Sequence, residues 1–418
     1  MLRVVERATE DEGNRPSLED LAREGARRML MAALDAEVTE YVAAHNAERD
    51  DSGRAMVVRN GRARTRTIVT GSGTVTVASP RVNDRREDGD GIRQRFTSKI
   101  LPPYMRRSPK VDEVLPILYL RGLSTGDFRE AIPALLGEDA AGLSATTITR
   151  LTNQWESEQR DFQQRDLSER EYVYVWCDGI HVNVRLEDDR VCLLIMLGAR
   201  ADGTKELIVV EDGYRESEES WEAVLRGLKK RGLRAPVVAV GDGALGFWSA
   251  VRDVWPETRE QRCWVHRLAN VLDKLPKRLQ GRAKQALHEI MGAETRADAE
   301  RGGKEFEAEY KAKYPKAITS LRRDWEKLLT FFDFPAEHWK HLRTSNVVES
   351  PFATVRLRQR VTKGAGSRTK AITMAFKLLE MAQMRWRRLD GSQLLPLVAH
   401  GVKYRDGVRL ENKEDRAA

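Results

Sequence analysis

Cysteine is scarce: three in 418 residues, Cys177, Cys192 and Cys263. Three thiols cannot build a disulfide framework, and no second Cys/His pair follows Cys263 and His266 at finger spacing, so neither a stapled fold nor a zinc finger is indicated. Long apolar runs are missing as well. The longest, residues 191–199, is about half of a bilayer span. The opening residues, MLRVVERATEDEG, lack the apolar core of a signal peptide. These absences lead us to expect a reduced, cytoplasmic chain without a membrane partner.

What is abundant is charge. Charged residues make up 33% of the chain and hydrophobic ones 41%, and the net charge is +8. Its distribution says more than its sum. Residues 54–107 hold 13 Arg/Lys against 4 Asp/Glu, and residues 351–388 hold 10 against 1. The rest of the chain is therefore negative, and two segregated basic patches point to a polyanion as partner, although a solvated basic face is the plainer reading of either patch alone.

Along the chain, Ser17-Leu-Glu-Asp opens a helix whose apolar residues Leu18, Leu21, Leu30, Leu34 and Val38 predict a stripe as far as about residue 44. Residues 54–66 form an Arg-rich arm with Arg59, Arg62, Arg64 and Arg66. A hairpin of residues 65–70 and 74–79 around Gly71-Ser-Gly follows, and residues 84–91 read as a charged, mobile loop. Three short helices are expected over 111–120, 125–136 and 144–155. Their spacing is that of a helix-turn-helix unit, in which Ser144, Thr146, Thr147, Thr149, Arg150 and Asn153 would face DNA; ordinary three-helix packing is the alternative.

Residues 171–186, EYVYVWCDGIHVNVRL, organise the remainder. Residues 172–176 are β-branched or aromatic throughout and 180–186 alternate, which predicts two adjacent strands, the first buried on both faces and tipped by Asp178. Asp178-Gly179 is also simply a hairpin pair. A third strand over 191–199 is followed by turns at Asp202-Gly203 and Asp212-Gly213 and a helix over 217–231. A strand over 235–240 then ends in Gly241-Asp242-Gly243. A helix over 245–254, a strand over 259–263 and a helix over 264–275 complete an α/β order with a mixed sheet, and it can bring Asp178 and Asp242 together. Residues 277–341 read as entirely helical. Asn346-x-x-Glu349 has capping-box spacing, and Ser350-Pro351 suits a helix that starts after Glu349.

The segments CDGIHVNVR, VGDGALGFWSAV, QRCWVHRLANVL and RTSNVVES, in this order, resemble the bacterial insertion-sequence transposases related to the Mutator elements; NGRARTR, PRVNDR and LYLRGLSTGDF resemble them more weakly. The resemblance implies a ribonuclease-H-like mixed-sheet α/β core with an all-α insertion, preceded by a helical and β-hairpin DNA-binding region with a helix-turn-helix-like unit. It implies an Asp178, Asp242, Glu349 triad that holds two Mg²⁺ ions, with Mn²⁺ able to substitute. Two ions about 3.5–4 Å apart can stabilise the attacking and leaving oxygens of an in-line phosphodiester displacement.

By the same resemblance His181, Cys263, Trp264 and His266 form a signature beside the site. Cys263 and His266 would be supports, Trp264 a support or a stacking face for a displaced base, and His181 a phosphate contact or a packing residue. Arg356, Arg358, Arg360, Lys363 and Arg368 would grip phosphates, with 385–388 as a further basic run, and residues 54–157 would recognise terminal inverted repeats.

The expected domains are 1–50 helical, 51–107 basic arm and hairpin, 108–160 helix-turn-helix-like, 168–275 first core part, 276–342 insertion, 343–395 second core part and 396–418 tail. The expected partners are double-stranded DNA, both element ends and target, and a second copy in a synaptic homodimer near the nucleoid. The resemblance also implies a circular copy-out intermediate. A non-catalytic DNA-binding regulator or a metal-dependent structure-specific nuclease are the alternatives.

Overall fold

The structure, a computed structural model, describes residues 16–123, 127–136, 145–185, 190–213, 215–243 and 246–410. It divides into two units, Met1–Thr149 and Arg150–Ala418.

The first unit begins with helix α1 (Leu18–Ala44), capped as expected: Ser17 accepts from Asp20 N, and the Asp20 carboxylate accepts from Ser17 N. Four strands follow: β1 (Val57–Arg62), β2 (Arg66–Thr70), β3 (Gly73–Val77) and β4 (Pro80–Asp84). β2 and β3 form the expected hairpin. The Arg-rich stretch is not a free arm, because most of it is β1, paired antiparallel with β4. Leu34 of α1 packs with Ile68, Val75, Val77 and Leu101, and this small core explains why the amphipathic stripe lies inward at Leu34 and Val38. Residues 84–91 are more structured than a charged loop. Asp84 ends β4 and is buried, Glu87 bridges Arg93, and Asp88 N donates to Ile92 O. Helices α2 (Pro109–Leu120) and α3 (Asp127–Leu136) pack through Val111, Leu115, Phe128 and Ile132 on Val69. Helix α4 (Ala145–Gln164) runs past the expected end at 155, and the division between units falls within it.

The second unit is built on a five-stranded sheet. Its strands are β5 (Tyr172–Val182), β6 (Val191–Arg200), β7 (Lys205–Gly213), β8 (Val238–Gly241) and β9 (Arg259–Arg262), in the order β7-β6-β5-β8-β9. β5, β6 and β7 run antiparallel, whereas β8 and β9 run parallel to β5 and to each other. Helices α5 (Glu218–Lys230), α6 (Phe247–Val254) and α7 (Trp264–Leu272) sit in the connections around β8 and β9. Val175 and Cys177 of β5 face a core with Trp221, Leu225 and Phe247 of α5 and α6. Tyr174 and Trp176 face the other way: Tyr174 Oη is 2.8 Å from His338 Nδ1, and Trp176 Nε1 donates to His341 O at 2.8 Å. The two-sided burial expected of residues 172–176 follows from these two covers.

Two strand readings change. Asp178-Gly179 is no turn; β5 passes straight through it, with Asp178 opposite Ile195 and Gly179 opposite Leu194. Asp212-Gly213 is no turn either. It closes β7, a strand absent from the sequence reading, against Leu193 and Cys192.

The segment after α7 is helical: α8 (Lys277–Met291), α9 (Arg296–Tyr310), α10 (Pro315–Arg322), α11 (Trp325–Leu328) and α12 (Trp339–Leu342), with no strand among its described residues. It is clasped to β9, since the Gln261 amide donates to Leu328 O and accepts from Phe331 N. Helices α13 (Asn346–Thr362) and α14 (Arg368–Gln383) follow, then α15 (Leu395–Ala399) and a short pair, β10 (Tyr404–Arg405) with β11 (Val408–Arg409).

Candidate active site

The parallel pairing of β5 with β8 sets the level of the two aspartates. Cys177 stands opposite Gly241, so Asp178 and Asp242 are each one residue beyond a matched pair on neighbouring strands, which run about 4.8 Å apart. β8 ends there while β5 continues to Val182. The β8-side edge of β5 is thus open from Asp178 onward, and side chains can approach it from both faces of the sheet. Trp248 Nε1 donates to Asp242 O and pins the turn after β8 to α6.

Glu349 arrives from α13. The helix starts at Asn346, not after Glu349, so the acid lies in the first turn and Pro351 is inside the helix. Ser345 is the N-cap residue, and its hydroxyl donates to Glu349 Oε1. Cys263 fixes this end in space. Its N–H donates to Gly241 O at 2.9 Å, and its sulfur accepts from Ser345 N at 3.3 Å and lies 3.1 Å from Ser345 Oγ. Cys263, which follows β9 and is the N-cap of α7, therefore holds both the end of β8 beside Asp242 and the start of the helix bearing Glu349.

The electrostatics join these groups into one cluster. Burial, with the nearby charges of Glu216 and Glu349, pushes the Asp178 carboxyl up to about 7, against a bond from Gly179 N and the field of His266. His266 Nδ1 lies 3.8 Å from Glu349 Oε1. A hydrogen bond to Cys263 and the charges of Asp242 and Glu349 hold the imidazole up at about 9, although half-burial of the ring opposes this. Glu216, a residue the sequence reading did not single out, is the fourth acid. Burial and the charge of Asp242 raise its carboxyl, while His181 and His266 act against them.

Two sets of donor atoms come within 4.8 Å of one another, His181 with Cys192 and Glu216, and Cys263 with His266 and Glu349. Cys192 is pushed up to about 12 by burial and by Glu216, Asp212 and Asp178, so at neutral pH it is a thiol and not a thiolate ligand. The Cys263 sulfur is occupied by Ser345. The donors that remain are the carboxylate oxygens and the His181 imidazole, because His266 at neutral pH is an imidazolium. Four clustered carboxylates, one of them held near neutrality, are an unfavourable arrangement that a divalent cation would relieve. Oxygen donors of this kind suit a hard ion such as Mg²⁺.

Trp264 is fully buried. Its indole N–H donates to Leu328 O and its ring meets Trp325 edge-on, so no face is left for a displaced base. Of the basic residues, Arg356 and Arg360 on α13 and Lys363 at its C-cap are exposed. Arg358 is not. It follows Val348, Phe352 and Val355 on the inward face of the helix and is 7% exposed. Arg368 is exposed but pairs with Asp212 at 3.2 Å. In the first unit Arg59 and Arg62 both pair with Asp35, Arg66 donates to Leu101 O and Pro102 O, and Arg64 is exposed. Arg150 and Asn153 are exposed on α4, and Thr147 is half-buried; Ser144 and the side chain of Thr146 lie outside the described residues. Among those residues no helix is long and apolar enough to cross a membrane.

Residues 3–388 match the family described as transposase, Mutator family. The chain is 55% identical over 305 residues to the transposase for insertion sequence element IS6120 of Mycolicibacterium smegmatis, covering 73% of this chain and 94% of that protein. It is 45% identical over 288 residues to the transposase for insertion sequence element IST2 of Acidithiobacillus ferrooxidans, covering 67% of this chain and 95% of the relative. With the transposase for IS256 in transposon Tn4001 of Staphylococcus aureus it shares 27% identity over 355 residues, 83% of this chain and 86% of that one. A family match over nearly the whole length and relatives of this closeness have one reading: the chain belongs to the Mutator family of insertion-sequence transposases, enzymes that cleave and transfer DNA.

Proposed function

We propose that Asp178, Asp242 and Glu349 are the acids of a two-cation site that cuts DNA at the terminal inverted repeats of an insertion sequence and joins the freed 3′ end to target DNA. The observation that carries this reading is the common level of Asp178 and Asp242 on parallel neighbouring strands, with Glu349 close enough to raise Asp178. Three antiparallel strands followed by two parallel ones, with acids at the central strand and its neighbour, support a ribonuclease-H-like core.

Bound Mg²⁺, for which Mn²⁺ can substitute, would supply Lewis-acid stabilisation of the attacking and leaving oxygens. The protein's own part is placement. Gly179 N orients Asp178, Cys263 and Ser345 orient Glu349, and the His266 imidazolium offsets part of the negative charge at neutral pH. Arg356, Arg360 and Lys363 hold backbone phosphates beside the site, and the first unit with the start of α4 reads the repeat as a helix-turn-helix-like module. Two element ends require two copies in a synaptic homodimer, and joining of the ends passes through a circular intermediate.

The test is D178N or D242N on duplexes that carry the element ends. Retained band shifts with nicking lost in Mg²⁺ are expected. Nicking at the wild-type rate would remove these acids from the chemistry.

A further inference from the structure

Glu216 lies in the link between β7 and α5, directly before the α5 N-cap Ser217, whose hydroxyl accepts from Ser220 N at 3.3 Å. Its backbone is locked to the segment that follows Asp242: Gly246 N donates to Glu216 O at 3.0 Å, and a Cβ on Gly246 would overlap the backbone of residues 216–218. Its carboxylate lies against β5. A Cβ on Gly179 would overlap the Glu216 side chain, so the glycine beside Asp178 is the space this carboxylate occupies. The two glycines thus bring one acid to the other two, Gly179 by leaving room at Asp178 and Gly246 by closing the Asp242 segment on it.

The direction of approach matters as well. Gly179 and His181 share the face of β5 that carries Val175 and Cys177, covered by α5 and α6, whereas Asp178 shares the face of Trp176, which bonds His341 just before α13. Glu216 groups with His181 and Cys192, and Glu349 groups with Cys263 and His266. The two glutamates therefore reach β5 from opposite faces, and Asp178 feels both. Among the described residues Glu216 has no ion pair within 4 Å although it is partly buried, and His181 and His266 offset its charge only in part, since the carboxyl is raised on balance.

We infer that Glu216 is a fourth cation-holding carboxylate of the transposase site, serving the His181 side of Asp178 as Glu349 serves the His266 side. The inference rests on the triad reading above and adds a ligand to it.

The experiment is a Mn²⁺ titration of the full chain, read by the spin-resonance signal of free Mn²⁺, with thermal melts in chelator and in Mg²⁺ and the Mg²⁺ dependence of end nicking. E216Q should bind Mn²⁺ at least tenfold more weakly at one site and need at least tenfold more Mg²⁺ for half-maximal nicking. It should melt no lower than wild type in chelator, because one like charge is gone, and gain less from Mg²⁺. A purely structural Glu216 would lower both melts equally. If E216Q fails to fold, G179A gives the same readout through a methyl placed where the carboxylate lies. Wild-type Mn²⁺ binding in a folded E216Q or G179A overturns the inference. D178N separates the two readings: if it loses Mn²⁺ and nicking while E216Q loses neither, only the fourth ligand falls, and if D178N keeps both, the triad falls with it.

Discussion

Ser345 Oγ donates to Glu349 Oε1 and lies 3.1 Å from Cys263 Sγ, so one hydroxyl ties the acid of α13 to the residue that follows β9. S345A should release Glu349 without touching DNA contacts. Loss of a hydrogen bond to a carboxylate costs about 1.5–3 kcal/mol at most, and second-layer partners of metal ligands are worth about 10–100-fold in activity or affinity. End nicking should fall by about that factor with band shifts unchanged. Wild-type nicking by S345A would show that Glu349 needs no anchor.

In the first unit the buried Asp84 accepts from Tyr41 Oη at 2.7 Å and from three Arg86 nitrogens, and the Arg86 guanidinium holds its carboxyl well below the usual range. A carboxyl depressed in the folded state contributes stability above its unfolded value of about 3.9, and loses it as pH falls through that value toward the lower folded one. Amide exchange of residues 57–62 and 80–84 should therefore accelerate below about pH 4, beyond the intrinsic pH effect. D84N should exchange faster near neutrality and show little further acid dependence.

Exposed and buried arginines of α13 should separate by salt dependence. Replacing Arg356, Arg360 and Lys363 by Ala should flatten the plot of log affinity against log salt by about 0.9 for each lost phosphate contact. R358A, on the inward face, should lower the melting temperature and leave the slope alone. The opposite pattern would mean that α13 presents its other face to DNA.

Trp264 is a packing residue in this account. W264A should cost about 3–5 kcal/mol of stability. W264F keeps most of the volume and loses one bond to Leu328 O, so it should nick at close to the wild-type rate. A folded W264F without nicking would restore a direct role for the indole.

How far the sequence carries can be followed at particular residues. Ser17, the inward stripe at Leu34 and Val38, the two-sided burial of 172–176 and the helices over 217–231 and 264–275 were readable because each depends on local chemistry, periodicity and caps, whereas Leu18 and Leu21 of the same stripe are exposed. Asp202-Gly203 does turn between β6 and β7, but two other Asp-Gly pairs were not readable. A glycine after aspartate serves a hairpin or makes room for a side chain from elsewhere, and at Gly179 the occupant, Glu216, lies in a distant link with no periodic signal. Both Asp178-Gly179 and Asp212-Gly213 read as turns. One strand was thereby split and another, residues 205–213, was passed over, so the sheet came to five strands through two errors that cancelled. Glu216 left only a faint trace, an acid directly before a Ser cap. The helix around Glu349 was obscured by Pro351, a residue that favours a start just before it, whereas Ser345 starts the helix earlier. Arg358 could have been assigned to the core from Val348, Phe352 and Val355 alone, had helical period been weighed above charge.

The central claim is that acids from β5, from the end of β8 and from α13 act as one site. The most direct measurement is end nicking and 3′-end joining by D178N, D242N and E349Q, alone and in pairs, at equal DNA occupancy. Groups that act as a unit are strongly non-additive. Each single variant should fall to background, with no pair falling further. Wild-type joining by any single variant, or losses that multiply between pairs, would contradict a shared site.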